Sequence, residues 1–153
     1  MAASVSRSRR SRPRARAEIG LVLVTHGDLG RAFLGALQHI VGRQNHTAAV
    51  GIGPEDDVKE RRKAILAAIG RVNSGKGCIV MTDMFGGTPS NLALSALSEK
   101  GVEVIAGVNL PMLIKFASVR ADDSMADAVR AVQEAGRKYI NVASSFLAED
   151  DAG

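Results

Sequence analysis

From residue 18 onward the apolar positions alternate between two periods. The run "IGLVLVT" (19–25) is continuous, as in a strand covered on both faces. Leu29, Phe33, Leu37, Ile40 and Val41 then recur at helical spacing, with Asp28 as the expected N-cap and Gly42 at the exit. "TAAVGI" (47–52) predicts a second strand. Pro54 and the acids Glu55, Asp56 and Asp57 open a helix whose apolar positions are Val58, Ile65, Ile69 and Val72. "GCIVMTD" (77–83) predicts a third strand and "TPSNLALSALSEKG" a third helix, with Thr88 as N-cap and Pro89 in its first turn. "VEVIAGVN" (102–109) predicts a fourth strand, and Pro111 opens a short helix. Three of the four prolines thus fall where helices are expected to begin. A last helix runs from Ser124 through Met125, Val129 and Val132 to a stop at Gly136. "KYINVA" (138–143) reads as a final strand, because Gly136 breaks the run and Tyr, Ile and Val favour sheets.

Strands alternating with helices predict an α/β fold, a doubly wound and mostly parallel four-stranded sheet with helices on both faces. One domain over residues 18–146 is expected, followed by a disordered acidic end over 147–153. Ligands of such sheets bind beyond the carboxyl ends of the strands, where the winding reverses. The chemistry is therefore sought at the turns "THGD", "TDMFGGTPSN" and "GVNLPM".

Composition narrows the field. The 153 residues suffice for one core and carry 3% aromatics and no tryptophan, so little is available to stack on nucleic-acid bases. The formal charge of +4 comes from "SVSRSRRSRPRARA": six arginines precede Glu18 with no acid, and removing six from 20 leaves 14 basic against 16 acidic residues. Residues 1–17 read as a disordered tail, and the domain behind them has no basic stripe for nucleic acid. Cys78 stands alone, which fits a reducing cytosol, and no apolar run approaches the roughly 18 residues of a membrane span.

Two motifs are dismissed on chemistry. "GRVNSGKG" (70–77) has the glycine and lysine spacing of a phosphate-binding loop. However, Gly77 stands where magnesium needs Ser or Thr, and the segment leaves a helix to enter a strand, the reverse of the working order. His39 and His46 lack zinc-ligand spacing and read as surface residues, so no metal or cofactor is expected.

"TDMFGGTPSN" is the informative stretch. Asp83 ends the third strand as His26 ends the first. If those strands are neighbours, an imidazole, a carboxylate, the Thr88 hydroxyl and the amides around Gly86 and Gly87 meet in one turn. A carboxylate that holds one ring nitrogen leaves the other free to attack phosphorus, and nearby donors stabilise the transferred group. A core histidine, an Asp83 that caps a loop and a Gly-Gly tight turn fit the same spacing equally well.

"LVTHG", "TDMFGGTPSN" and "VIAGVNLPML", in that order, resemble the IIA component of the mannose family of the bacterial sugar phosphotransferase system, over about residues 18–143. The resemblance implies that His26 accepts a phosphoryl group from phospho-HPr and passes it to a IIB partner in the cytoplasm. It implies that Asp83 hydrogen-bonds this histidine and that Thr88 lies near the phosphoryl group, with Gly86 and Gly87 beside it. It also implies a homodimer exchanging a C-terminal strand, which suits 138–143, and contact with the membrane only through IIC and IID components. Asn109, Pro111 and Met112 are expected to form a rim that docks partners. The arginine-rich tail has no counterpart in the family pattern. No IIB domain follows, so a separate recipient is expected. Two alternatives are a regulatory phosphorylation module uncoupled from transport, and the phosphoryl-donor subunit of a dihydroxyacetone kinase, against which "GVNLPML" argues.

Overall fold

The computed structural model describes residues 16–151. The arginine-rich segment before residue 16 and the last two residues lie outside that range. Four strands, β1 (Gly20–His26), β2 (Thr47–Ile52), β3 (Cys78–Thr82) and β4 (Val102–Ala106), pair in the order β2-β1-β3-β4, all parallel. Between and after them run α1 (Leu29–Val41), α2 (Val58–Val72), α3 (Thr88–Leu94), α4 (Leu110–Val119), α5 (Met125–Lys138) and α6 (Ala143–Asp151).

The continuous apolar run of β1 is explained by two cores, one on each face. Val22 and Val24 pack with Ile65, Ala68 and Val72 of α2 and with Leu92 and Ala93 of α3. Leu21 and Leu23 point the other way, against Leu37 of α1, Leu113 and Phe116 of α4 and Val132 of α5. Each strand therefore needs apolar residues at both parities. The chain leaves β1 for β2 on one side and returns across it to β3 on the other. The winding therefore reverses between β1 and β3, and a crevice opens at their carboxyl ends.

Buried Arg120, 2% exposed, closes the opposite end of the sheet. Its Nε donates to the Ile19 carbonyl at 3.1 Å, its other nitrogens reach Gln44 Oε1 and the His46 carbonyl, and its guanidinium lies 4.9 Å from the Phe116 ring centroid. Glu18 stands 3.7 Å away.

Several local expectations are corrected. Asp28 caps α1 in position only; the Gly30 amide is satisfied instead by the buried Thr25 hydroxyl at 2.8 Å. Helix α2 starts at Val58 with Asp57 accepting from Lys59 and Glu60, so Pro54 precedes the helix rather than opening it. Helix α3 is capped by Gly87, not Thr88, and tightens into a 3-10 turn at Ser95–Ser98. Residues 138–143 form no strand. Gly136 does not stop α5, because its missing side chain admits Met112: a Cβ there would lie 2.6 Å from Met112 Cγ. The helix runs on to Lys138, and the segment behind it pairs with no strand among the described residues. The acidic end is helical through Asp151 in α6, consistent with the helix-favouring Leu147, Ala148 and Glu149. No helix among the described residues is long and apolar enough to cross a membrane.

Candidate functional site

Strand β1 is buried until its last residue. His26 emerges where the strand ends, with its side chain 55% exposed. β3 lies alongside, so the next residue after it, Asp83, reaches the same point. Asp83 Oδ2 accepts from the His26 amide at 2.9 Å and pairs with the ring Nδ1 at 2.8 Å. Its Oδ1 accepts from the Met84 amide at 3.0 Å and the Thr82 hydroxyl at 3.3 Å. Burial pushes the Asp83 carboxyl up, but the His26 amide and ring, the His26 charge and the Met84 amide outweigh it and hold the group below its ordinary value. A carboxylate can only accept, so Nδ1 carries a proton, and in the neutral ring the lone pair then lies on Nε2. Among the described residues Nε2 has no hydrogen-bond partner.

The turn between β3 and α3 is shaped around the ring. Gly86 has φ +97°, which a side chain would strain. Gly87 is needed for space: a Cβ there would stand 3.0 Å from His26 Cε1 and 3.1 Å from Nε2. The amides of Gly86 and Gly87 both donate to buried Ser90 Oγ, at 3.1 and 3.3 Å, and that hydroxyl donates back to the Gly87 carbonyl. These two donors, expected to face a phosphate, are thus engaged as the site stands. His26 and Thr88 border a cleft of about 310 Å³ that continues to Pro54, Asp56 and Arg61.

The expected rim is not brought to this cleft. Asn109 caps α4 through the Met112 amide at 3.1 Å and ties α5 by donating to the Gly136 carbonyl at 3.0 Å. Met112 is core, 4% exposed, and Pro111 borders a separate hollow with Ile114 and Tyr139. None of the three lines the cleft of His26. Sequence reasoning passed over Met84 and Phe85, which follow Asp83 and are 57% and 59% exposed. Lys76 of the rejected phosphate-loop motif binds the Ala121 and Asp123 carbonyls. Cys78 is fully buried, its thiol pushed up to about 12 chiefly by burial, so it stays a neutral thiol.

A family model described as "PTS system fructose IIA component" (EIIA-man) matches residues 20–133, most of the chain. The chain belongs to the EIIA-man family. The mannose-specific EIIAB component of Escherichia coli K12 is 30% identical to this EIIA-man chain over 124 residues, 80% of the chain; the chain spans only 38% of that longer protein. The fructose-specific EIIA component of Bacillus subtilis is 26% identical and matches 84% of the chain and 89% of its own length. Among solved structures, the mannose/sorbose-specific IIA subunit of Enterococcus faecalis superposes with TM-score 0.72 at 27% identity, covering 82% of this chain and 94% of that one. The IIA protein associated with the fucose utilization operon of Streptococcus pneumoniae gives TM-score 0.75 at 24% identity, over 86% and 98%, which bears on the fold alone. The α/β parallel sheet read from the sequence is thus the EIIA fold.

Proposed function

We propose that this EIIA-man chain is a phosphoryl carrier: His26 accepts a phosphoryl group from phospho-HPr and passes it to a IIB partner. The observation that carries the reading is the double use of Asp83 Oδ2, which binds both the amide and the ring Nδ1 of His26. That arrangement fixes the ring and leaves Nε2 as the nucleophile. In the transfer, the bond between phosphorus and the donor's ring nitrogen breaks and its electron pair returns to that nitrogen. A bond from phosphorus to His26 Nε2 forms. The Nδ1 proton does not move; the ring becomes cationic, and ionised Asp83 stabilises it. Gly86 and Gly87 shape the floor, and the Thr88 hydroxyl offers a donor to the phosphoryl oxygens. Met84 and Phe85 supply the apolar docking rim.

The carrier acts in the cytoplasm and meets the membrane only through its partners. It pairs as a homodimer through the unpaired edge of β4 and the exposed Ile140, Val142, Phe146 and Leu147, which support exchange of the C-terminal segment. Incubation with phosphoenolpyruvate, enzyme I and HPr is expected to label the chain with an acid-labile, alkali-stable phosphoryl group. A His26→Ala variant that still takes up the label would overturn the assignment.

A further inference from the structure

The cleft of His26 contains a charge that the carrier reading leaves unused. A phosphoryl group on Nε2 is an anion, yet the Gly86 and Gly87 amides already serve Ser90. Among the residues lining the cleft, Arg61 is the one lysine or arginine. Its placement is unusual for a cation. One helical turn beyond it lies Ile65, 1% exposed, and the same stripe of α2 continues through Ala68 and Val72 into the core. Arg61 thus occupies the first inward position of an apolar stripe, at the end nearest the carboxyl ends of the strands, and is half-buried there. It forms no ion pair with a described carboxylate. Asp56 lines the same cleft, but its Oδ2 accepts from the Gly53 amide at 2.8 Å. A partly desolvated guanidinium without a counter-ion favours an anion in the space it faces, and its planar fork suits phosphate oxygens.

We propose that Arg61 is a catalytic residue of the transfer, binding the oxygens of the phosphoryl group as it moves onto His26 Nε2. The inference rests on the carrier reading and adds to it the group that neutralises charge. Phosphorus leaves the donor nitrogen and bonds to Nε2, with no proton transferred; Arg61 stays protonated and holds two equatorial oxygens while Thr88 donates to the third. Arg61 also borders an adjoining groove together with Arg31 and Arg71; those two do not line the cleft of His26, so they are not assigned the role.

The test compares Arg61→Gln, Arg61→Lys and Arg71→Gln with the unaltered full chain. Transfer from phospho-HPr is resolved into kcat and KM, and the phosphohistidine is read by phosphorus NMR. Arg61→Gln is expected to lower kcat by about 30-fold with KM changed less than about threefold, and to move the phosphorus resonance. Arg61→Lys recovers part of kcat, since it restores charge without the fork. Arg71→Gln changes neither quantity. An Arg61→Gln kcat within about threefold of the parent overturns the proposal, as does a defect confined to KM with an unmoved resonance, which would make Arg61 a docking residue. Inorganic phosphate titrated against the His26 ring signals separates the two claims. An Arg61-dependent affinity, at least about tenfold weaker in Arg61→Gln, in a chain that takes no label on His26 would sink the carrier reading while keeping the anion site. Equal phosphate affinity in parent and variant counts against the site itself.

Discussion

Replacing Asp83 with asparagine keeps the shape of the side chain and removes its charge. In the parent, one oxygen takes two N–H groups of His26 and the other takes the Met84 amide and the Thr82 hydroxyl. An asparagine oxygen turned toward His26 leaves its NH2 facing the Met84 N–H, and the opposite rotamer sets NH2 against both His26 donors. At least one N–H contact is therefore lost in either case, costing about 1–3 kcal/mol of stability. The larger effect falls on transfer, because the ring becomes cationic only as the phosphoryl group arrives. Unit charges about 4 Å apart interact by about 4 kcal/mol near a protein surface. With the ring 55% exposed, water screens part of this. About 2 kcal/mol is left, or roughly a 30-fold slower transfer. Rapid-quench measurement of label passing from phospho-HPr to Asp83→Asn, with circular dichroism to show a folded domain, checks the figure. A transfer rate within about threefold of the parent, at unchanged secondary structure, would refute the role of the Asp83 charge in stabilising the cationic ring.

Further outcomes follow from the same geometry. Gly87→Ala places a methyl against the His26 ring and is expected to slow labelling by about tenfold or more while leaving the melting temperature nearly unchanged; an unimpaired rate argues against the tight fit. Arg120→Ala strips the buried guanidinium from three oxygen acceptors and is expected to destabilise the fold by about 3 kcal/mol in urea titration, with labelling intact in the folded protein. Phe85→Ala should raise KM for phospho-HPr and leave kcat near the parent value if the exposed ring is a docking contact. The Asp83 carboxyl is held below its unfolded value, so its contribution to stability is fully present above about pH 4 and fades as pH falls through the lower folded value. Carboxyl carbon NMR should place the Asp83 midpoint below that of exposed aspartates.

His26 and Asp83 both end apolar strands, so the spacing allows them to meet if those strands are neighbours. A core histidine and a loop-capping aspartate fit it equally well; the family resemblance is what implies their hydrogen bond. What escaped reading depended on contacts between segments remote in sequence. Met112 is expected on a rim, although its spacing to Leu113 and Phe116 matches a core face. Gly136 has the look of a helix stop, and only the approach of Met112 from α4 explains why it sits inside α5. The β-favouring residues after Lys138 carry a strand propensity, yet they pair with no strand among the described residues. Arg120 satisfies carbonyl groups at strand ends far away in the sequence, and no local pattern marks it. Arg61 did leave a trace, as a charged residue at an apolar-stripe position of α2.

In the proposed carrier Asp83 holds Nδ1, and Nε2 is the atom that reacts. Nitrogen-15 and phosphorus NMR of the chain phosphorylated through HPr, with histidine labelled, distinguishes the two ring nitrogens. A single phosphohistidine at His26 is expected, its phosphorus coupled to Nε2 while Nδ1 retains its proton beside Asp83. Phosphorus bonded to Nδ1, or carried by His39 or His46, would contradict it.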